Sequence, residues 1–223
     1  MLLYLKNCNG LFAKGMPFFL LQKRMLSSLQ ESTRRKRIIV AMTGASGSIY
    51  GIRILETLKK MGIESHLIMS KWAVATIKYE TDYRIEDIVA MADYFHGNQE
   101  MSATISSGSF VTDGMIIAPC SLKSLAAIRT GLCSDLISRA ADVIIKENRK
   151  LVLMVRETPL SPIHLDNMTY LSRIGVTVFP PVPAFYVRPN SIDDLVEHTV
   201  GRVLDQFNLD TLKFERWKGS LKK

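Results

Sequence analysis

Fifteen residues constrain the fold of this chain more than any others: Arg37-Ile-Ile-Val-Ala-Met-Thr-Gly-Ala-Ser-Gly-Ser-Ile-Tyr-Gly51. An apolar run of strand length enters Thr43-Gly44-Ala45-Ser46-Gly47, and an amphipathic helix pattern follows without a gap. That order is the sequence form of a buried parallel strand, a tight turn and a helix N-terminus. Unpaired N–H groups and the positive end of the helix dipole meet at such a turn, so it suits a phosphate. Small residues let a ligand approach the backbone, and Thr43, Ser46 and Ser48 add hydroxyls that can hydrogen-bond it. The competing reading is a tight turn that binds nothing.

The same alternation continues along the chain. Apolar runs at 38–42, 64–69, 115–118, 151–155 and 176–179 read as strands, the third stopped by Pro119. Helical patterns fall at 49–61, 71–79, 85–92, 121–129 and 134–147. Two more are opened by Ser161-Pro162 and by Ser191 with Asp193-Asp194, an N-cap with a proline or acids in the first turn. The rest of 82–112 reads as irregular. Five strands separated by helices imply an α/β protein with a mostly parallel sheet covered on both faces. Ligands bind such sheets beyond the C-terminal strand ends. The punctuated segments lie there: Thr43–Gly47, Ser70-Lys71, Pro119-Cys120-Ser121, Arg156-Glu157-Thr158-Pro159 and Pro180–Tyr186.

At 223 residues the chain is long enough for one well-buried α/β domain. Its formal charge is +8, but the first thirty residues hold Lys6, Lys14, Lys23 and Arg24 and no acid, so +4 remains without them. With Phe12, Phe18, Phe19, Leu20 and Leu21 among those bases, residues 1–30 read as a mitochondrial transit peptide ahead of a basic linker, 31–36. A secretory signal would have only Met16–Leu21 as its apolar core, and a disordered or membrane-lying N-terminus is the plainer alternative. No run approaches the roughly 18–20 apolar residues of a membrane span. Arg34-Arg35-Lys36-Arg37 reads as a solvated arm before a strand, not as a nucleic-acid face. Cys8, Cys120 and Cys133 make neither a disulfide framework nor a metal-ligand spacing.

The glycine spacing, Gly44-x-x-Gly47-x-x-x-Gly51, departs from the dinucleotide pattern, and the second strand ends in Ser70-Lys71 instead of a ribose-binding acid. No Tyr is followed by Lys four residues later, as a short-chain reductase requires. A mononucleotide such as FMN fits better. Ser121 either contacts that ligand or caps the next helix, and Cys120 lacks a neighbouring His that would make it a nucleophile. Arg139 and Lys146, two helical turns apart, share a face. Arg156 directly follows a strand, where a cation would bind phosphate and stabilise it as a leaving group. Glu157 and Glu80 are candidate acids or bases. His164 reads as a packed residue, while Phe185-Tyr186 and Trp217 read either as a pocket wall or as anchors for a second subunit.

Together these motifs closely resemble the UbiX-type flavin prenyltransferases, especially their fungal mitochondrial members, formerly called phenylacrylic acid decarboxylases. The resemblance rests on Thr43–Gly47, Ser106-Ser107-Gly108-Ser109, Pro119-Cys120-Ser121, Arg139-Ala-Ala-Asp142, Arg156–Pro159, Ser161–Leu165 with Asn167-Met168, Pro180–Tyr186 and Arg216-Trp217, in the family's order. It covers 37–218, leaving 219–223 as a tail. It implies a three-layer flavodoxin-like/Rossmann-like fold and a metal-independent homo-dodecamer. The activity implied joins a dimethylallyl group from dimethylallyl monophosphate to N5 and C6 of reduced FMN, making prenylated FMN for a UbiD-type decarboxylase. By the same resemblance, FMN contacts fall on Gly44, Ala45, Ser46, Ser70, Ser121, Leu122, Lys123, Ser124 and Arg156. Lys123 and Ser124 stand where many bacterial members have smaller residues. The prenyl phosphate falls on Lys146, Tyr186 and Arg202, with Arg139 and Glu157 beside it; Glu80 lies near the reacting flavin edge and Trp217 closes the site. Catalytic parts go to Ser46, Glu80, Glu157, Arg139 and Trp217, in a mitochondrial-matrix enzyme.

Three other readings compete. One is direct decarboxylation of a phenylacrylic or hydroxybenzoic acid, and another is flavin storage for the decarboxylase. The third, oxidative decarboxylation of a peptidyl-cysteine, expects a Pro-x-Met-Asn segment that this chain lacks.

Overall fold

Strand β1 (Arg37–Met42) turns Ile38, Val40 and Met42 into one core and Ile39 and Ala41 into another, all buried. A strand apolar on both faces belongs in the middle of a covered sheet. Its parallel neighbours are β2 (Glu64–Met69) and β4 (Gly114–Cys120), in the registers Arg37↔Glu64 and Ile38↔Gly114. β3 (Tyr94–Gly97) lies outside β2, and β5 (Lys150–Val155) and β6 (Thr177–Val178) follow β4. The order is β3-β2-β1-β4-β5-β6, parallel throughout. This computed structural model describes residues 34–211, 214, 216, 217 and 219. The expected leader, half of the linker, Lys218 and nearly all of the tail lie outside the described residues. The compact unit that carries the sheet begins at Lys36.

Helices α1 (Ser48–Lys60), α2 (Lys71–Glu80), α3 (Ile85–Val89) and α7 (Ile192–Asp205) cover the Ile38 face through Ile52, Leu55, Ile77, Ile88, Val196 and Val200. Helices α4 (Leu122–Thr130), α5 (Leu136–Lys146) and α6 (Pro162–Arg173) cover the Ile39 face through Leu125, Ala140, Ile144 and Leu171. Each fully buried aliphatic side chain contributes about 1.5–3 kcal/mol, so the two cores hold the layers together. Ser161 caps α6 with Pro162 in its first turn, and His164 Nδ1 accepts the Ser161 N–H at 3.1 Å, so this histidine completes a capping box. Ser191 and Asp194 do the same for α7.

Four local expectations change. An edge strand, β3, lies in the segment read as irregular, and it turns a five-strand order into the 3-2-1-4-5-6 order of doubly wound sheets. Its Tyr94 and Phe95 are exposed. It is held by its ladder to β2 and by His96 Nε2, 3.0 Å from Nδ1 of the buried His66. β4 runs past Pro119 to Cys120, with a cis Ala118–Pro119 peptide and a register irregularity between Ile117 and Cys120. A proline has no N–H to give the ladder there. α3 stops at Val89 because Met91 and Ala92 bond back to Ile88 and Val89 in tighter turns. β6 is only two residues long, since Val176 N–H bonds the end of α6 and Pro180-Pro181 have no N–H.

Candidate active site

The rim begins where β1 and β4 end. Thr43 is buried, and its N–H donates to Pro119 O at 3.2 Å. Its Oγ1 also donates to Pro119 O, at 2.8 Å, and accepts the Ser121 N–H at 2.8 Å. This hydroxyl, expected to meet a ligand, instead ties the glycine loop to the Pro119–Ser121 loop. Gly47, at φ 101°, occupies the left-handed region that a side chain disfavours. Gly51 lets α1 lie on the sheet: a Cβ there would collide with Ala118 O and sit 2.9 Å from Met42 Cε.

Glu80, the last residue of α2, reaches the start of α1. Its carboxylate accepts the N–H groups of Gly47 and Ser48, each at 2.9 Å, and the Ser46 hydroxyl bonds it as well. Burial opposes its ionisation, but the Ser46 hydroxyl and the Ser48 and Gly47 N–H groups outweigh burial and hold Glu80 below the ordinary carboxylate value. The positive end of α1 is thus occupied by the chain's own carboxylate. Among the described residues, the N–H groups of Gly44, Ala45 and Ser46 have no protein acceptor. They are the donors left for an incoming anion.

Ser70 caps α2, its Oγ accepting Ala73 N–H at 3.0 Å. Ser121 caps α4, accepting Ser124 N–H at 3.3 Å and pairing with the Ser124 hydroxyl at 3.1 Å. These serines first satisfy helix ends; the N–H groups of Leu122 and Lys123, in the first turn of α4, have no helical acceptor to find. Cys120 is fully buried and burial pushes its thiol up to about 12, which makes it a packing residue. Arg156 stands exposed at the end of β5, its N–H on Cys120 O at 3.3 Å. Glu157, also exposed, accepts Thr158 N–H at 3.0 Å.

The other candidate cations rest on carboxylates. Arg139 bonds Asp142 at 2.9 Å and Ser106 O at 3.2 Å; Lys146 bonds Glu147 at 2.6 Å; Arg202 bonds Asp205 at 2.9 Å. Of the four, only Arg156 lacks an ion pair among the described residues. Arg139 and Lys146 do share a face, turned to the Ser106–Gly108 segment: a Cβ on Gly108 would lie 2.8 Å from Lys146 Nζ. That end of α5 is far from the rim. Four residues after Lys146, β5 starts at Lys150, level with Gly114 at the start of β4. Arg156 follows the far end of that strand, roughly 17 Å away at 3.3 Å per residue. A lysine's four-carbon stem spans a fraction of that.

A third group gathers on α7. His198, Gly201 and Asp205 lie on one face of the helix. Tyr186 Oη is 2.9 Å from His198 Nε2, and its ring meets those of His198 and Trp217 edge-on at 5.6 and 5.7 Å. Phe214 packs on His198 at 5.1 Å and fills the space above Gly201, where a Cβ would collide with its ring. Arg216 bonds Asp205 at 2.7 Å and stacks over Phe214. Trp217 itself is 65% exposed, so within one chain it covers Tyr186 with one side and leaves the other open. Sequence reasoning passed over His198, and no local pattern marks it: it lies on the helix face opposite the apolar stripe Val196, Val200 and Val203.

The Flavoprotein family model matches residues 26–204. The mitochondrial flavin prenyltransferase PAD1 of Saccharomyces cerevisiae is 56% identical over 206 residues, 91% of this chain and 85% of its own. The crystal structure of AnUbiX (PadA1) in complex with FMN and dimethylallyl pyrophosphate is similar with a TM-score of 0.83 at 59% identity, covering 84% of this chain and 100% of that one. A dodecameric FMN-dependent UbiX-like decarboxylase from Escherichia coli O157:H7 follows with a TM-score of 0.81 at 55% identity, covering 82% and 100%.

Proposed function

The chain belongs to the UbiX-like flavin prenyltransferases and is an enzyme of that kind, and we propose that it joins the dimethylallyl group of dimethylallyl monophosphate to N5 and C6 of reduced FMN. One observation carries the reading: unengaged N–H groups of Gly44, Ala45 and Ser46 share a rim with Arg156, a cation that has no carboxylate partner among the described residues. Backbone donors, the first turn of α4 and a free guanidinium suit a flavin bearing a phosphate. Thr43 and Glu80 hold those donors in place, so little order is lost on binding.

The flavin supplies the nucleophilic N5 and C6. The carbon–oxygen bond to phosphate breaks with its electron pair on the phosphate, and N5–H and C6–H give up protons while one returns to the alkene. Arg139, Lys146, Tyr186 and Arg202 carry the phosphate charge in this reading, without a metal ion. Glu157 gives the departing phosphate a proton. Glu80, held ionised by its donors, takes up the C6 proton through Ser46. Trp217 walls the allyl group, with cation–π attraction of about 1–2 kcal/mol.

One chain cannot bring Lys146 to its own Arg156, so the phosphate site takes Lys146 from another copy. The dodecameric state of the Escherichia coli relative supports a homo-oligomer here, as a dodecamer. The yeast relative's mitochondrial place supports a mitochondrial, matrix location, with prenylated FMN passed to a UbiD-type decarboxylase.

The test is to incubate the protein with reduced FMN and either dimethylallyl monophosphate or the pyrophosphate, with and without EDTA, and weigh the flavin. A gain of one C5H8 unit from the monophosphate, unaffected by EDTA, is expected; unmodified FMN would sink the reading. The relative described as a decarboxylase favours a second reading, direct decarboxylation. Release of CO2 from a phenylacrylic acid by the purified protein alone would establish it.

A further inference from the structure

We propose that His198 is a positioning residue for the prenyl phosphate: its Nε2–H donates to the Tyr186 oxygen and so leaves the phenol's own hydrogen free to point at the phosphate. This rests on Tyr186 being a phosphate ligand, as argued above. A phenol has a single hydrogen to give. If Tyr186 donated it to His198, only lone pairs would face an anion, and the contact would repel. With the hydrogen on Nε2 of the imidazole, Tyr186 accepts on one side and donates on the other.

The surroundings argue that the bond is the reason for a histidine here. His198 is 7% exposed although it lies on the face of α7 opposite Val196, Val200 and Val203, which enter the core. A buried polar ring costs stability unless it is paired. Its partner at 2.9 Å is a half-exposed phenol in the loop that follows β6, not a backbone group of its own helix. A phenylalanine would meet Phe214 and Tyr186 edge-on equally well, so packing alone does not require imidazole. Phe214, admitted by Gly201, and Arg216, held by Asp205, close the far side of the ring. Burial and the Arg202 guanidinium push the His198 ring down in pKa, Asp205 opposing them, so near neutrality it is uncharged and the position of its one hydrogen decides what Tyr186 can do.

The experiment compares His198→Phe, His198→Gln, Tyr186→Phe and the double variant His198→Phe/Tyr186→Phe, measuring KM for dimethylallyl monophosphate, kcat, and Kd for FMN. His198→Phe is expected to raise KM about tenfold with the FMN Kd unchanged, the size of one lost polar contact to a charged group. His198→Gln, whose amide donates from near the place of Nε2, recovers most of the loss. The double variant is no worse than Tyr186→Phe alone, because the histidine acts only through the phenol. A His198→Phe protein with wild-type KM beside an impaired Tyr186→Phe would overturn the proposal, and so would losses that multiply in the double variant. A Tyr186→Phe protein with wild-type KM fails earlier: it removes Tyr186 from the phosphate site, and the proposal with it. Melting is followed for each variant; if His198→Phe does not fold, His198→Met, which has no donor, replaces it against His198→Gln.

Discussion

The rim and the outer helices meet charge in opposite ways. At the rim the groups for a ligand are backbone N–H donors and short hydroxyls, fixed by Thr43 and Glu80. On α5 and α7 they are long cations, each resting on a carboxylate beside it: Arg139 on Asp142, Lys146 on Glu147, Arg202 on Asp205. Such half-exposed pairs are worth about 0–1 kcal/mol, so a phosphate can take over the cation at little cost. The rim is built within one chain; on the proposed reading the cationic set is not, because Lys146 ends α5 at the opposite end of the strands. A rigid seat and exchangeable charges divide the work of binding and of reaction.

The largest effect that could break this division is in Lys146→Ala. Loss of a charge-assisted contact of about 1.5–3 kcal/mol lowers kcat/KM by roughly 10–150-fold, with the FMN Kd unchanged. Mixing Lys146→Ala chains with Arg156→Ala chains and reassembling them restores part of the activity, since some sites then draw a good lysine and a good rim from different chains. A mixture as dead as its parents would place Lys146 on its own rim. Arg156→Ala, next in size, should weaken FMN itself, by roughly 10–100-fold, less so in high salt; unchanged FMN titration curves would take the cation out of the seat.

Stability sharpens the contrast. Gly51→Ala forces a methyl against Ala118 O, an overpacking of about 1–3 kcal/mol, or roughly 2–12 °C in Tm for a chain of this size. Asp142→Ala, at an exposed pair, should shift Tm by no more than a degree or two; equal shifts in the two variants would erase the distinction. The smallest effect concerns acid. Glu80 is held below the ordinary value of 4.5, so what it adds to the ordered loop is complete above that value and lost as pH falls through its lowered one. Wild-type FMN affinity should therefore fade toward low pH, while Glu80→Gln starts a few-fold weaker and loses this acid dependence. Parallel pH curves for the two proteins would show that the carboxylate does not order the loop.

Much of this was legible in the sequence because burial on both faces leaves unbroken apolar runs: β1, β2, β4 and β5 announce themselves. β3 does not, since Tyr94 and Phe95 stay exposed at an edge, and its ladder to β2 and its contacts with His66 hold it in place. Pro119 was read as a stop because a missing N–H usually ends a ladder, yet β4 passes it. The rim's members could be listed from spacing, but not how each spends its hydrogen bonds. Thr43 and Ser121 turned out to be tied to each other, and Glu80 to sit on the helix end expected to take a phosphate. The link from Tyr186 to His198 joins two elements that no local pattern pairs.

The Thr43 tie also bears on how a modified flavin departs. Parting the glycine loop from the Pro119–Ser121 loop would break three short bonds around one threonine, roughly 1.5–4.5 kcal/mol net. If the flavin is seated as proposed, exit past the exposed Arg156 leaves these bonds whole, so Thr43 favours departure on that side over any path that splits the floor.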